Sequence, residues 1–358
     1  MSFAPRPSVQ PWARVNKSRK SQIFLASVLP LTLSALIVFF TGLDQNLALV
    51  GVFLPLQLVA ASLVGFLAFG RRGVGDSFLI VLVVFLSTFV LVLLVSVVAS
   101  LVSQGAKAFS WTFLSQNNIY VSNTTSLDFG GVGHAVIGTL MIVGLTTIVT
   151  VPLGLAMAVY LTQSQSKTKG LVRTLTQAIS GLPSVVAGLF IMSLALTLGW
   201  ERSGLLGSMA LLPLMLPTVA RVAEEALRLV PVDLRYAALA LGAPNYRAFF
   251  QVILPAAKSG LVTAILLGVA RIIGETAPLL LTVPINNGTS WNIFSGNMMT
   301  LPAYIYGYLA SVFEPSQNRA WGAALVLMIL VALLFGATRL LSRSKSLKSK
   351  PTKQKASK

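Results

Sequence analysis

Residues 237–255 read AALALGAPNYRAFFQVILP. The small residues Ala237, Ala238 and Ala240 favour a short helix. Gly242 suits its end, and Pro244 with Asn245 suits the first turn of a second helix set at an angle to the first. The product is a bent pair of short helices with a small-residue face. It lies between two apolar runs, 204–220 and 259–283, each about as long as a bilayer crossing requires. Such a pair either joins two spans or offers a knob to another protein's groove, and composition alone leaves both open.

The rest of the chain has the same character. Of 358 residues 55% are hydrophobic and 10% charged, with a mean hydropathy of +0.82, whereas an ordinary soluble domain carries about 25% charged residues. Apolar runs near 22–41, 47–69, 78–103, 132–161, 175–198, 204–220, 259–283 and 320–341 predict eight membrane-crossing helices and an all-α polytopic membrane protein. Pro183, Pro213 and Pro217 interrupt two of these runs. The first run has no small-residue cleavage pattern and reads as a retained helix. Cysteine is absent and His134 is the sole histidine, so thiolate clusters and disulfides are excluded and no metal centre is expected.

Lys and Arg define the expected orientation. Of the 27, 23 fall in the N-terminal tail, the 70–77 turn, the 162–174 loop, the 221–258 segment and the C-terminal tail, which places those parts and both termini on the cytoplasmic side. Lys107, Arg202 and Arg319 fall in the opposite loops. The net charge of +18 is therefore spread over short loops and tails, not gathered on a folded domain, and nucleic-acid binding is excluded.

One run breaks the apolar rule. ARIIGETAPLLL, residues 270–281, puts Arg271 and Glu275 four residues apart inside a predicted span. A charge at the bilayer centre costs about 2.5–3.5 kcal/mol by insertion scales, so such residues face the protein interior or a watery path. A helix starting near 259 places Arg271 about 18 Å along its axis, near mid-membrane. Spacing of four puts Glu275 on the same helical face, within pairing distance. The guanidinium fork matches phosphate oxygens, with the carboxylate holding the fork between anions; the alternative is a permanent ion pair that locks helices together.

The motifs carry a resemblance. Ala237, Ala238 and Gly242, followed by Ile253, Leu254 and Pro255, resemble the coupling motif of type I ABC importer permeases, with Tyr236 where that family usually has Glu. LPSVVAGLF (182–190) and the Gly-Glu-Thr-Ala-Pro string (274–278) resemble, more narrowly, phosphate importer permeases of the PstA type, over roughly residues 78–341. The resemblance implies an ATPase-docking surface at Tyr236, Ala237, Ala238, Gly242, Ala243 and Pro244. It implies a substrate path through Arg271, Glu275 and Thr276, with Arg221 receiving the anion at the cytoplasmic mouth or serving only as a positive-inside anchor. Implied partners are a second, PstC-type permease chain, two ATP-binding subunits that use ATP and Mg, a periplasmic phosphate-binding protein and membrane lipid; this chain itself would bind no cofactor.

On that reading residues 1–21 are a basic tail, 22–77 an accessory hairpin outside the six-helix family pattern, and 78–131 the first family helix with an external loop. Residues 132–341 form the permease core with its coupling segment 221–258, and 342–358 a second basic tail. No GxxxxGK[ST] phosphate loop occurs, so the chain is not an ATPase by that machinery and hydrolysis is supplied in trans. Ser184, beside Pro183, sits at either a broken-helix site or a packing kink tightened by Gly188. The aromatic and polar loop 284–319 anchors at the interface or receives the binding protein. Rival readings are a permease for phosphonate, molybdate or sulfate, an ion-coupled secondary transporter, and a sensing scaffold.

Overall fold

The computed structural model describes residues 17–41 and 49–342. The tails expected at 1–21 and 342–358 lie largely outside the described residues. Among the described residues the chain is helical, with one isolated parallel bridge between Ser203 and Gly296.

Two compact units divide near residue 99. In the first, α1 (Lys17–Thr41) packs on α2 (Leu54–Phe69), which is entered through a π-helical turn at Leu49–Phe53. Gly70, with φ +67°, ends α2. The next helix, α3 (Arg71–Gly105), starts at once, so the expected 70–77 turn is largely helical. Its residues from Phe78 to Val102 are apolar and largely exposed.

The second unit holds the core. After α4 (Trp111–Ser115), the long α5 (Gly133–Gln163) lies along α8 (Gly204–Arg228), and α12 (Lys258–Ile273) packs on α8 as well. Between α5 and α8 run α6 (Lys169–Ser180) and α7 (Ser184–Thr197). Beyond α8 come α9 (Val232–Ala240), α10 (Asn245–Ala248), a π-helical turn at Phe249–Ile253 and α11 (Leu254–Ala256). After α12 come α13 (Ala277–Thr282), α14 (Leu301–Leu309) and α15 (Glu314–Ser342). Ile142, Leu211, Met215, Val219, Ile272 and Leu279 form the central buried cluster, so α8 is sandwiched between its neighbours. Pro213 and Pro217 leave α8 continuous. Neighbouring helices stabilise Pro-containing spans by packing and by satisfying freed backbone groups.

The count of eight crossing helices is not reproduced. Among the described residues, four single helices, α3, α5, α8 and α15, are long and apolar enough to cross a bilayer. Two further spans arise only if each bent pair is taken as one: α6 with α7, bent by 101°, and Asn245–Ala256 with Lys258–Ile273, bent by 67°. The first two predicted runs correspond to shorter apolar helices, Val28–Phe40 and Gly51–Leu67. The predicted 175–198 span is two helices because Pro183 caps α7 in an extended conformation, consistent with the missing N–H and fixed φ of proline.

Candidate functional site

The predicted continuous helix 259–283 is broken where its charges lie. Arg271 occupies the last turn of α12, where a cation complements the negative end of the helix. Gly274 caps α12, Glu275 and Thr276 lie in the break, and α13 restarts with Pro278 in its first turn, a position that needs no amide donor. Glu275 N–H donates to Ile272 O at 3.1 Å and Leu280 N–H to Thr276 O at 3.0 Å. The expected shared helical face of Arg271 and Glu275 is therefore absent, and the two do not form a salt bridge. Arg271 is exposed on the surface of this single chain, while Glu275 and Thr276 are half-buried. Among the described residues the Arg271 guanidinium thus faces neither a carboxylate nor the chain's own core.

Two motifs far apart in sequence meet beside this break. A Cβ on Gly188 of α7 would lie 2.7 Å from the Cα of Pro278 and 3.2 Å from its Cβ. The LPSVVAGLF and GETAP strings are thus in backbone contact. Ser184 is half-buried in the first turn of α7, four residues before that contact. Gly188→Val is expected to destabilise the folded chain by about 1–3 kcal/mol through overpacking. Gly170→Ala, where an added Cβ meets open space, is expected to leave stability nearly unchanged. Thermal unfolding of the purified protein measures both, and equal melting temperatures would refute the contact.

The C-terminal end of α13 is held from a loop. Arg202 Nη2 donates to Leu280 O at 3.0 Å and Val283 O at 3.3 Å, and Ser203 N–H donates to Thr282 O at 3.2 Å. Nearby, Asn118 Nδ2 donates to the hydroxyls of Tyr304 and Tyr308, each at 2.8 Å, while its Oδ1 accepts from Gly131 N–H at 2.9 Å. Burial, reinforced by the neighbouring Tyr308, raises the pKa of Tyr304, so its hydroxyl keeps its proton. Arg319, expected in an external loop, is instead a fully buried residue of α15. Its Nη2 donates to Ser126 O at 2.7 Å and Phe129 O at 3.0 Å, which ties the loop before α5 to α15.

On the opposite side, the first eight residues of the expected coupling segment are the last turns of α8, because Ala223, Ala226 and Leu227 pack with Phe249, Ile253 and Ala257. Glu224 has 12% of its side chain exposed, and its Oε1 accepts from Arg173 Nη2 at 2.6 Å and Arg228 Nη2 at 2.7 Å. Arg221, expected after the span, lies within α8 and pairs loosely with Glu225 at 3.6 Å, both side chains being more than half exposed. These residues line a cleft of about 220 Å³ with Thr176, Gln177 and Ser180. The 224/228 spacing is legible in sequence as an i,i+4 pair; Arg173, 51 residues away, carries no such signal.

The bent pair appears where its residues predict it. α9 ends at Ala240, Gly242 takes φ +83°, and Pro244 precedes α10. Tyr236, Ala237, Gly242 and Pro244 are exposed, Ala243 is half-buried, and Leu241 is 90% exposed. Ala238 is buried, so it seats α9 on the chain and does not belong to the outward surface.

Helices long and apolar enough to cross a membrane, a helix broken beside a charge and an exposed bent pair match the architecture of a membrane permease. The family model described as binding-protein-dependent transport system inner membrane component matches residues 150–346, and the chain belongs to that family. Among its relatives, the phosphate transport system permease protein PstA 1 of Mycobacterium tuberculosis (strain CDC 1551 / Oshkosh) is 44% identical over 207 residues, 57% of this chain and 68% of the relative. PstA of Haemophilus influenzae is 37% identical over 248 residues, 69% of this chain and 86% of the relative. An inward-facing structure of the MetNI methionine ABC transporter aligns over 59% of this chain and 94% of its own, at 20% identity and a TM-score of 0.48.

Proposed function

We propose that this chain is a transmembrane permease subunit of an ATP-driven phosphate importer, and that inorganic phosphate passes beside Arg271 at the break between α12 and α13. The observation that carries this reading is the exposed guanidinium at a helix break, in a member of a permease family whose relatives bear the name phosphate transport system permease. A second, homologous permease chain faces Arg271 across the path. Glu275 and Thr276 supply polar groups beside it, Ser184 lies on the neighbouring α7, and Arg221 meets the anion at the cytoplasmic cleft.

Two ATP-binding subunits dock on α9 and α10, and their closure on ATP and Mg drives alternating access. An external phosphate-binding protein delivers the anion to the side that carries Arg202 and the 284–319 loop. Both termini lie in the cytoplasm.

The test is labelled uptake into vesicles containing the full complex, with ATP on the cytoplasmic side and loaded binding protein on the other. Phosphate uptake that requires ATP and persists under a large excess of sulfate, molybdate or phosphonate is the expected result. Preferential uptake of one of those oxyanions would replace phosphate as the substrate. Uptake that ignores ATP and follows an ion gradient would overturn the importer reading altogether.

A further inference from the structure

We infer that Glu224 is a positioning residue whose single carboxylate oxygen links the coupling pair α9–α10 to the helices beside the substrate path. The inference rests on the transporter reading above and adds a route within this chain.

The geometry has three parts. Arg173 Nη2 and Arg228 Nη2 both donate to the same atom, Glu224 Oε1, at 2.6 and 2.7 Å. Arg228 is the last residue of α8 and lies four positions before the start of α9, with only Leu229, Val230 and Pro231 between. Arg173 lies on α6, which continues through Gly181–Pro183 into α7, and α7 meets Pro278 of α13 at Gly188. One oxygen therefore joins the guanidinium at the end of α8, which leads directly into α9, to the guanidinium of α6, which leads to the path.

The local chemistry favours a link over a passive surface pair. The Glu224 carboxylate is mostly withdrawn from solvent, whereas its partners are about half exposed, at 42% and 53%. Charge-assisted hydrogen bonds to a carboxylate are short and directional. Losing either arginine leaves a largely buried charge short of a partner. Arg221 and Glu225 line the same cleft but pair with each other at 3.6 Å in solvent, so they do not substitute for either arginine. α6 is bent by 101° from α7, so a pull on α6 acts across the axis of α7. Packed elements shift between discrete arrangements and do not deform smoothly.

The test uses the full complex with Glu224→Gln, which keeps the shape and removes the charge. The amount of assembled complex is expected to stay within about twofold of wild type, and ATP hydrolysis to continue. Phosphate transported per ATP is expected to fall at least about tenfold, a drop equivalent to about 1.4 kcal/mol. Arg173→Gln is expected to reproduce that ratio, and the double variant to be no worse than either single one, as for residues acting through one contact. Glu224→Asp is expected to recover part of it. Equal loss of hydrolysis and uptake, with the ratio unchanged, would reduce Glu224 to a structural staple and overturn the inference.

A readout independent of substrate separates this inference from the phosphate reading. The chain contains no cysteine, so with any cysteines of the partner subunits replaced, spin labels attach selectively at Thr174→Cys on α6 and Asp233→Cys on α9. With Glu224 present, the distance between labels is expected to stay constant between nucleotide-free and ATP-bound complexes, the two helices moving together. In the Glu224→Gln background it is expected to change with nucleotide. Independent motion with Glu224 intact would overturn the link, and this holds whichever anion is carried.

Discussion

Arg271→Gln is expected to abolish most phosphate uptake, lowering it at least about thirtyfold, while the complex still assembles and retains basal ATP hydrolysis. Removing one member of a desolvated, hydrogen-bonded charge contact costs about 2–5 kcal/mol, and each 1.4 kcal/mol is a factor of ten. Assembly is expected to survive because Arg271 holds no carboxylate among the described residues and its neighbour Ile272, not Arg271, is buried in the core. Arg271→Lys is expected to recover only part of the activity, since an ammonium keeps the charge and loses the planar two-pronged donor set. Glu275→Gln is expected to act more mildly, because the carboxylate does not restrain the guanidinium. Labelled-phosphate uptake and copurification measure these effects together. Unchanged uptake in Arg271→Gln would remove Arg271 from the path.

Leu241→Asp is expected to strip the ATP-binding subunits from the permease, weakening their association by about 2–4 kcal/mol, or roughly thirtyfold to a thousandfold. Leu241 is 90% exposed at the turn between α9 and α10, and Tyr246 and Phe250 are each at least 60% exposed nearby. A carboxylate placed at the centre of such an apolar contact is buried without a partner. The permease should still insert and fold, because the inward side of α9 is carried by Ala238, and Ala248, Phe249 and Ile253 are themselves buried. Copurification of the ATPase with the tagged permease reads the effect. Retention of the ATPase at wild-type levels would place the docking surface elsewhere.

These two regions differ in how far the sequence foretold them. The bend at Gly242 and Pro244 follows from local chemistry, since a left-handed residue ends α9 and a proline starts α10, and each acts within its own turn. At Arg271 the spacing rule misled: four residues place two side chains on one face only if the helix continues, and Gly274 ends it. A glycine followed four residues later by Pro278 was a readable sign of a restart, but the strong apolar run around it reads equally well as one span. Arg319 misled in the opposite direction. Its charge suggested a loop, yet carbonyls of residues 126 and 129 receive it inside α15.

By itself the sequence determined that the chain is an all-α membrane protein, that most of its basic residues fall outside the apolar runs, and that a bent helix pair stands between two of those runs. Those properties depend on composition, on periodicity and on residues within a turn of one another. Tertiary structure alone decided that Gly188 abuts Pro278, that Ala238 faces inward, and that Glu224 gathers arginines from α6 and α8. Each of those contacts joins segments 40 or more residues apart or depends on which face a helix turns to its neighbour, and side-chain packing and desolvation set both only once the helices have assembled.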